Sequence, residues 1–155
     1  MFLIKFNLKQ FLLLLLLFFL QGSYIWTLPS SIIGLKPNLL LIFLILLSLS
    51  EDMKTAILWG IIIGLLIDIS STPHLINTFC FPILACLTTL FKNDIFYNKN
   101  IISIISVVIG TIIWIFIYFS ATRIIFNIDL GINFTSMISI VISHALLTPF
   151  MIKYI

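Results

Sequence analysis

The sequence predicts an all-α membrane protein, a compact bundle of about six transmembrane helices joined by short loops. Two observations predict it. Of 155 residues, 62% are hydrophobic and 8% are charged, and the mean hydropathy is +1.31. A soluble domain carries about a quarter charged residues, so this chain could not cover its own surface in water. In lipid it has no such need. The second observation is the form of the apolar segments. Transmembrane barrel strands alternate apolar and polar residues, whereas residues 11–20 read FLLLLLLFFL and residues 101–119 read IISIISVVIGTIIWIFIYF. Unbroken runs of this kind are helices.

About 20 apolar residues cross a hydrocarbon core of about 30 Å. The expected spans are 8–27, 32–50, 54–71, 75–92, 101–122 and 134–153, a single transmembrane domain over 1–155. The second is the least regular. Lys36 and Pro37 precede its clean apolar part, and proline suits the first turn of a helix, where its missing N–H has no partner to lose. The first segment has the lysines and apolar run of a signal peptide. It lacks a small-residue cleavage site, however, and it is followed by Tyr24 and Trp26, suited to the interface. It is expected to stay as a span.

Six spans place Lys5, Lys9, Lys54, Lys92, Lys99 and Lys153 on one face of the membrane and only Lys36 and Arg123 on the other. Cytoplasmic loops carry the lysine and arginine excess, so both termini are expected in the cytoplasm. The net charge of +3 is dispersed, with no basic block suited to nucleic acid.

The third span carries the most specific pattern. Ala56, Gly60, Gly64 and Asp68 recur every four residues and form one face of small side chains ending in a carboxylate. Gly60 and Gly64 are a GxxxG pair, which lets another helix backbone approach closely. The face fits packing within the bundle or contact with a different protein, and Trp59 flanks it. Asp68 lies about 20 Å along the helix from Lys54, near the outer hydrocarbon boundary, where a carboxylate needs a partner or water. The favoured partner is Arg123, at a similar depth in the fifth span. Capping of the turn at Ser70–Thr72 and contact with another protein are the alternatives.

His144 lies mid-way along the sixth span with Ser139, Ser143 and Thr148 nearby. A hydrogen bond across helices is the expected role, ahead of proton transfer or metal binding. A metal site needs three or more ligands, and the depths of His74, Cys80 and Cys86 do not match that of His144. No metal or cofactor is expected. No paired motif such as H-E-x-x-H or G-x-S-x-G supplies a nucleophile and base, so no enzymatic activity is expected. Pro149 is expected to kink or end the last helix.

Three segments together resemble the family of the bacterial rod-shape-determining membrane protein MreD. Lys36-Pro37-Asn38-Leu39-Leu40-Leu41 is similar to that family's proline, acidic-or-amide, leucine-rich opening of the second span. Residues 59–69, W-G-I-I-I-G-L-L-I-D-I, match its glycines, leucines and aspartate in order. Beyond Asp68 the family usually continues through a small-residue turn into proline-leucine-glycine and an asparagine. Here Ser70, Ser71, Thr72, Pro73, His74 and Leu75 lead to Asn77, with His74 and Leu75 where leucine and glycine are common. The ending A-L-L-T-P-F, residues 145–150, looks like the family's last span. The resemblance implies a non-enzymatic inner-membrane component of the cell-elongation machinery. It would sit with an MreC-type bitopic protein and connect cytoplasmic MreB filaments with wall synthases. Ala56, Trp59, Gly60, Gly64 and Asp68 are then the candidate partner surface. The alternative is the substrate-binding subunit of an energy-coupling-factor vitamin transporter, also a small six-helix bundle. Such subunits dock through alanine-rich faces on the first helix, and the first span here has no alanine.

Overall fold

The computed structural model describes residues 8–22, 37–71, 75–92, 99–126 and 134–154. Among these residues the protein is all-helical, with six helices in the order α1 (Leu8–Gly22), α2 (Leu39–Ser50), α3 (Met53–Ser71), α4 (Ile76–Phe91), α5 (Lys99–Phe126) and α6 (Phe134–Ile152). Three are long and apolar enough to cross a membrane, at Met53–Ser70, Asn100–Ile124 and Phe134–Ile152. The other three are shorter apolar helices. Tyr24, Trp26, His74 and the residues expected in the connecting loops between 23–31, 72–74, 93–98 and 127–133 lie outside the described residues.

The second segment is central rather than peripheral. Leucine and isoleucine cover every side of α2, and a helix that is apolar all round belongs in a core. Residues 39–48 are all buried, and α2 touches each of the other five helices. At 12 residues it is about 18 Å long, well short of a hydrocarbon thickness of about 30 Å. Its C-terminal end lies beside the start of α3, so its N-terminal end stops inside the bundle.

The turn from α2 to α3 is short because both of its helix ends are closed locally. The Glu51 N–H returns to the Leu47 carbonyl at 2.9 Å. The Asp52 carbonyl accepts from Ala56 N–H at 2.9 Å, and the Asp52 carboxylate accepts from the Thr55 hydroxyl at 2.6 Å. The hydroxyl of Thr55 holds the exposed Asp52 carboxyl below the usual carboxylate range. Two other segments clamp this end: Gln10 donates to the Glu51 carboxylate at 2.8 Å, and the Lys92 ammonium donates to the carbonyls of Ser50 and Glu51 at 3.3 and 3.1 Å.

The closest helix pairing is α3 with α4. Glycine produces it. A Cβ built on Gly60 would lie 2.9 Å from both Cα and N of Pro82, and one on Gly64 would lie 2.5 Å from the Asn77 carbonyl oxygen. Any side chain there would meet α4 backbone, which cannot give way as a flexible side chain can. Around the outside, large apolar residues face the lipid. On α6, Phe134, Ile138, Ile142, Leu146 and Phe150 are exposed at intervals of four, one stripe of a helix. Pro149 lies inside α6, which continues past it to Ile152.

Candidate functional site

Two clusters of buried polar groups each lie at the start of a helix. The first four N–H groups of a helix have no partner within it. In hydrocarbon there is no water to take them, and each left open costs several kcal/mol. α2 and α4 both begin inside the bundle, so both depend on acceptors from elsewhere.

At α4 the cap position is Leu75, whose side chain offers no oxygen, and it makes no side-chain cap bond. Asp68 takes over the task from the last turn of α3. One carboxylate oxygen accepts from Asn77 N–H at 3.2 Å and from the Asn77 side-chain amide at 2.8 Å. The other accepts from Thr78 N–H and from the Thr78 hydroxyl at 2.8 and 2.7 Å. Those backbone groups are the second and third of the helix, the pair that an N-cap side chain normally serves. The positive end of the α4 dipole faces the carboxyl group. Asn77 passes the network on, its side-chain oxygen accepting from the Trp114 indole N–H of α5 at 3.3 Å.

This arrangement replaces the expected pairing of Asp68 with Arg123. Among the described residues the four bonds to the carboxylate come from α4, Asp68 is 3% exposed, and Arg123 is exposed. The cause is the uncapped start of α4, which lies within reach of Asp68.

At α2 the cap residue Asn38 accepts Leu41 N–H on its side-chain oxygen at 3.1 Å. Gln21, from the end of α1, accepts Leu40 N–H at 3.1 Å. The N–H of Asn38 itself donates to Nε2 of His144 at 2.9 Å, which fixes Nε2 as an acceptor. On the other side of the ring, the Thr111 hydroxyl gives its proton to the Val107 carbonyl at 2.7 Å, so its oxygen accepts from Nδ1–H of His144 at 2.8 Å. These roles require the neutral Nδ1–H tautomer. His144 is 0% exposed, and it joins α6 to α5 and to the start of α2.

The small-residue face also has a definite place. Ala56 and Trp59 are buried, as are Gly60 and Gly64. Trp59 stands edge-on to Phe43 of α2, with ring centroids 6.4 Å apart. The face is turned inward, and α4 of the same chain lies against its two glycines. The close fit of α4 backbone onto the two glycines leaves no space for a second occupant.

Gln21, Thr78, Thr111 and Trp114 were not singled out in the sequence, and Asn38 and Asn77 entered only as motif positions. A usable signal was present at Leu75, where a helix begins without a capping side chain yet carries Asn77 and Thr78 directly after it. Cys80 is buried and Cys86 half-buried, both as free thiols. Among the described residues no group of three or more His, Cys, Asp or Glu could hold a metal ion.

Fold and buried sites together define a multi-pass helical membrane protein with two buried polar clusters that close the starts of its own helices. A family model described as "rod shape-determining protein MreD" matches residues 4–155. The chain belongs to the MreD family, and is thereby a rod-shape-determining membrane protein. Comparison with the curated proteins and with the solved structures gave no match.

Proposed function

We propose that the chain is a non-enzymatic scaffold of the cell-elongation machinery in the bacterial inner membrane, with both termini in the cytoplasm. It acts with an MreC-type bitopic partner and, directly or through it, on MreB filaments and the synthases that build peptidoglycan. The observation that carries this reading is the family match along nearly the whole chain. Two features of the structure support it. Asp68 and His144, the buried groups with the most chemistry, already have all their hydrogen bonds made within the chain, which suits a structural role better than a catalytic one. Lys9, Lys54 and Lys92 lie at the end of the bundle where α2 meets α3, and Arg123 lies near the opposite end of α5, a distribution that supports a cytoplasmic lysine end. With the glycine face covered, a partner is left the outer faces of the helices and the short connections.

The alternative of a vitamin-transporter subunit needs polar groups free to hold a ligand. Both buried clusters supply theirs to α2 and α4 instead. Co-purification in mild detergent discriminates the two readings. Recovery of an MreC-type protein, together with loss of rod shape on depletion, is the expected result. A bound vitamin or an ATPase module, with depleted cells that stay rod-shaped and need the vitamin, would sink the scaffold reading.

A further inference from the structure

We infer that α1 is a hinged flap on the central helix, held at Gln21 and opening at Gln10 while the other five helices stay together. Gln10, Leu14, Leu17 and Gln21 are spaced by four, three and four residues, which puts them on one side of a helix. Leu14 and Leu17 are the buried residues of α1, whereas Leu12, Leu16 and Phe19 on its other sides are exposed. Among the described residues α1 has its main contact with α2 alone, while α2 to α6 are joined to one another by several pairings. α1 therefore rests on a narrow stripe. In lipid the stripe is driven only weakly to stay, because acyl chains are as apolar as the leucines they would replace.

A glutamine bond at each end marks the docked position, and the two ends are unequal. Beside the α2–α3 turn, Gln10 donates to the Glu51 carboxylate at 2.8 Å. Both residues are half-buried, and Lys9, Asp52 and Lys54 around them are exposed, so water reaches this end. Where water can replace either partner, the net worth of a hydrogen bond is small. At the other end Gln21 accepts from Leu40 N–H at 3.1 Å. Leu40 is 1% exposed, and inside the bundle no water takes over the N–H when Gln21 leaves. The bond that yields is at one end and the bond that holds is at the other, so α1 swings and does not detach. Opening uncovers the flank of α2 next to the α2–α3 turn, a side of the central helix that the closed form hides.

Spin-label distances in the full chain, in lipid nanodiscs and with Cys80→Ala and Cys86→Ala as background, test this. Labels on Leu12→Cys and Met53→Cys read the turn end, and labels on Phe19→Cys and Ile69→Cys read the Gln21 end. All four positions are exposed, so the labels leave the packing intact. In Gln10→Leu the share of a longer Leu12–Met53 distance is expected to rise about fivefold, the factor one net hydrogen bond is worth, with the Phe19–Ile69 distance unchanged. Glu51→Gln keeps an acceptor for Gln10 and stays near the wild type. Gln21→Leu lengthens both distances, and Gln21→Glu, which again offers Leu40 N–H an acceptor, restores the Phe19–Ile69 distance. Wild-type distances at both ends in Gln10→Leu would show that the bond to Glu51 latches nothing and would overturn the proposal. Equal lengthening of both pairs in that variant would mean that α1 leaves as a whole, and overturns the hinge. So does a Gln21→Leu chain of unchanged helical content that keeps its Phe19–Ile69 distance.

Discussion

The starts of α2 and α4 face the same physical problem and solve it differently. α4 draws on one residue. Asp68 is nine positions from Asn77, on the helix immediately before, and it closes two backbone N–H groups and two side chains at once. α2 draws on three places: its own Asn38, Gln21 of α1 and His144 of α6. The first solution is local and rests on one residue, and it makes α3 and α4 a unit held by glycine contact and by one carboxyl group. The second is neutral and dispersed, and it ties the two ends of the chain to the central helix. The contrast shows that a membrane protein can place an ionisable group in its interior for architecture alone.

The sharpest way to break the comparison is Asp68→Ala, which leaves four donors without an acceptor. A loss of about 3–5 kcal/mol is expected in detergent unfolding titrations. Asp68→Asn offers one acceptor oxygen in place of two, and is expected to recover less than half of that loss. Wild-type stability in Asp68→Asn would show that the second oxygen is idle and that the account of α4 fails. Exchange of Asp68 and Arg123, each for the other, is expected to give no rescue, because the arginine then faces helix donors. Next in size is Gly64→Ala, at about 1–3 kcal/mol. It is expected to exceed Gly60→Ala, since its Cβ would come 2.5 rather than 2.9 Å from α4 backbone. The reverse order would show that α4 shifts freely along α3.

His144→Leu tests the dispersed solution. It leaves the Asn38 N–H open while Gln21 and Asn38 still serve the N–H groups of Leu40 and Leu41, so a loss of about 1–2 kcal/mol is expected. Combining it with Thr111→Val should cost less than the two changes added, because the residues share one network. Full additivity would mean that the ring and the hydroxyl act independently. The smallest effect belongs to Asp52, at the exposed start of α3. Its carboxyl is held low by Thr55, so its contribution is present above the unfolded carboxylate pKa and is lost as pH falls through the lower folded value. Thermal unfolding of wild type and Asp52→Asn in micelles should therefore differ slightly at neutral pH and converge in acid.

The helices were legible because long apolar runs leave a clear mark in a sequence. α3, α4 and α6 begin and end within a residue of their expected bounds. α5 is longer, Lys99–Phe126 rather than 101–122, because a helix runs on through residues such as Asn100 and Arg123 once it leaves hydrocarbon. α2 starts at Leu39 rather than residue 32, since Pro37 and Asn38 set its first turn, and residues 32–36 lie outside the described part. The polar residues were visible but their partners were not. Depth and charge match Asp68 to Arg123, whereas its described partners are neutral groups at the opening of the next helix. Backbone N–H groups leave no mark in a sequence, so a demand for acceptors is hidden until a helix boundary is known. The glycine spacing predicted close approach by a helix, and spacing alone cannot say whose helix that is.

The bond from Asn38 to His144 has a consequence for biosynthesis. A ribosome makes the second helix long before the sixth, so the opening turn of α2 waits through most of translation for a histidine that has not yet been added. A nascent chain truncated ahead of residue 144 carries an unanswered amide in its centre. Completion of the last helix is therefore the event that locks the middle of the molecule, and a chain stopped short of it should be the form that membrane proteases clear first.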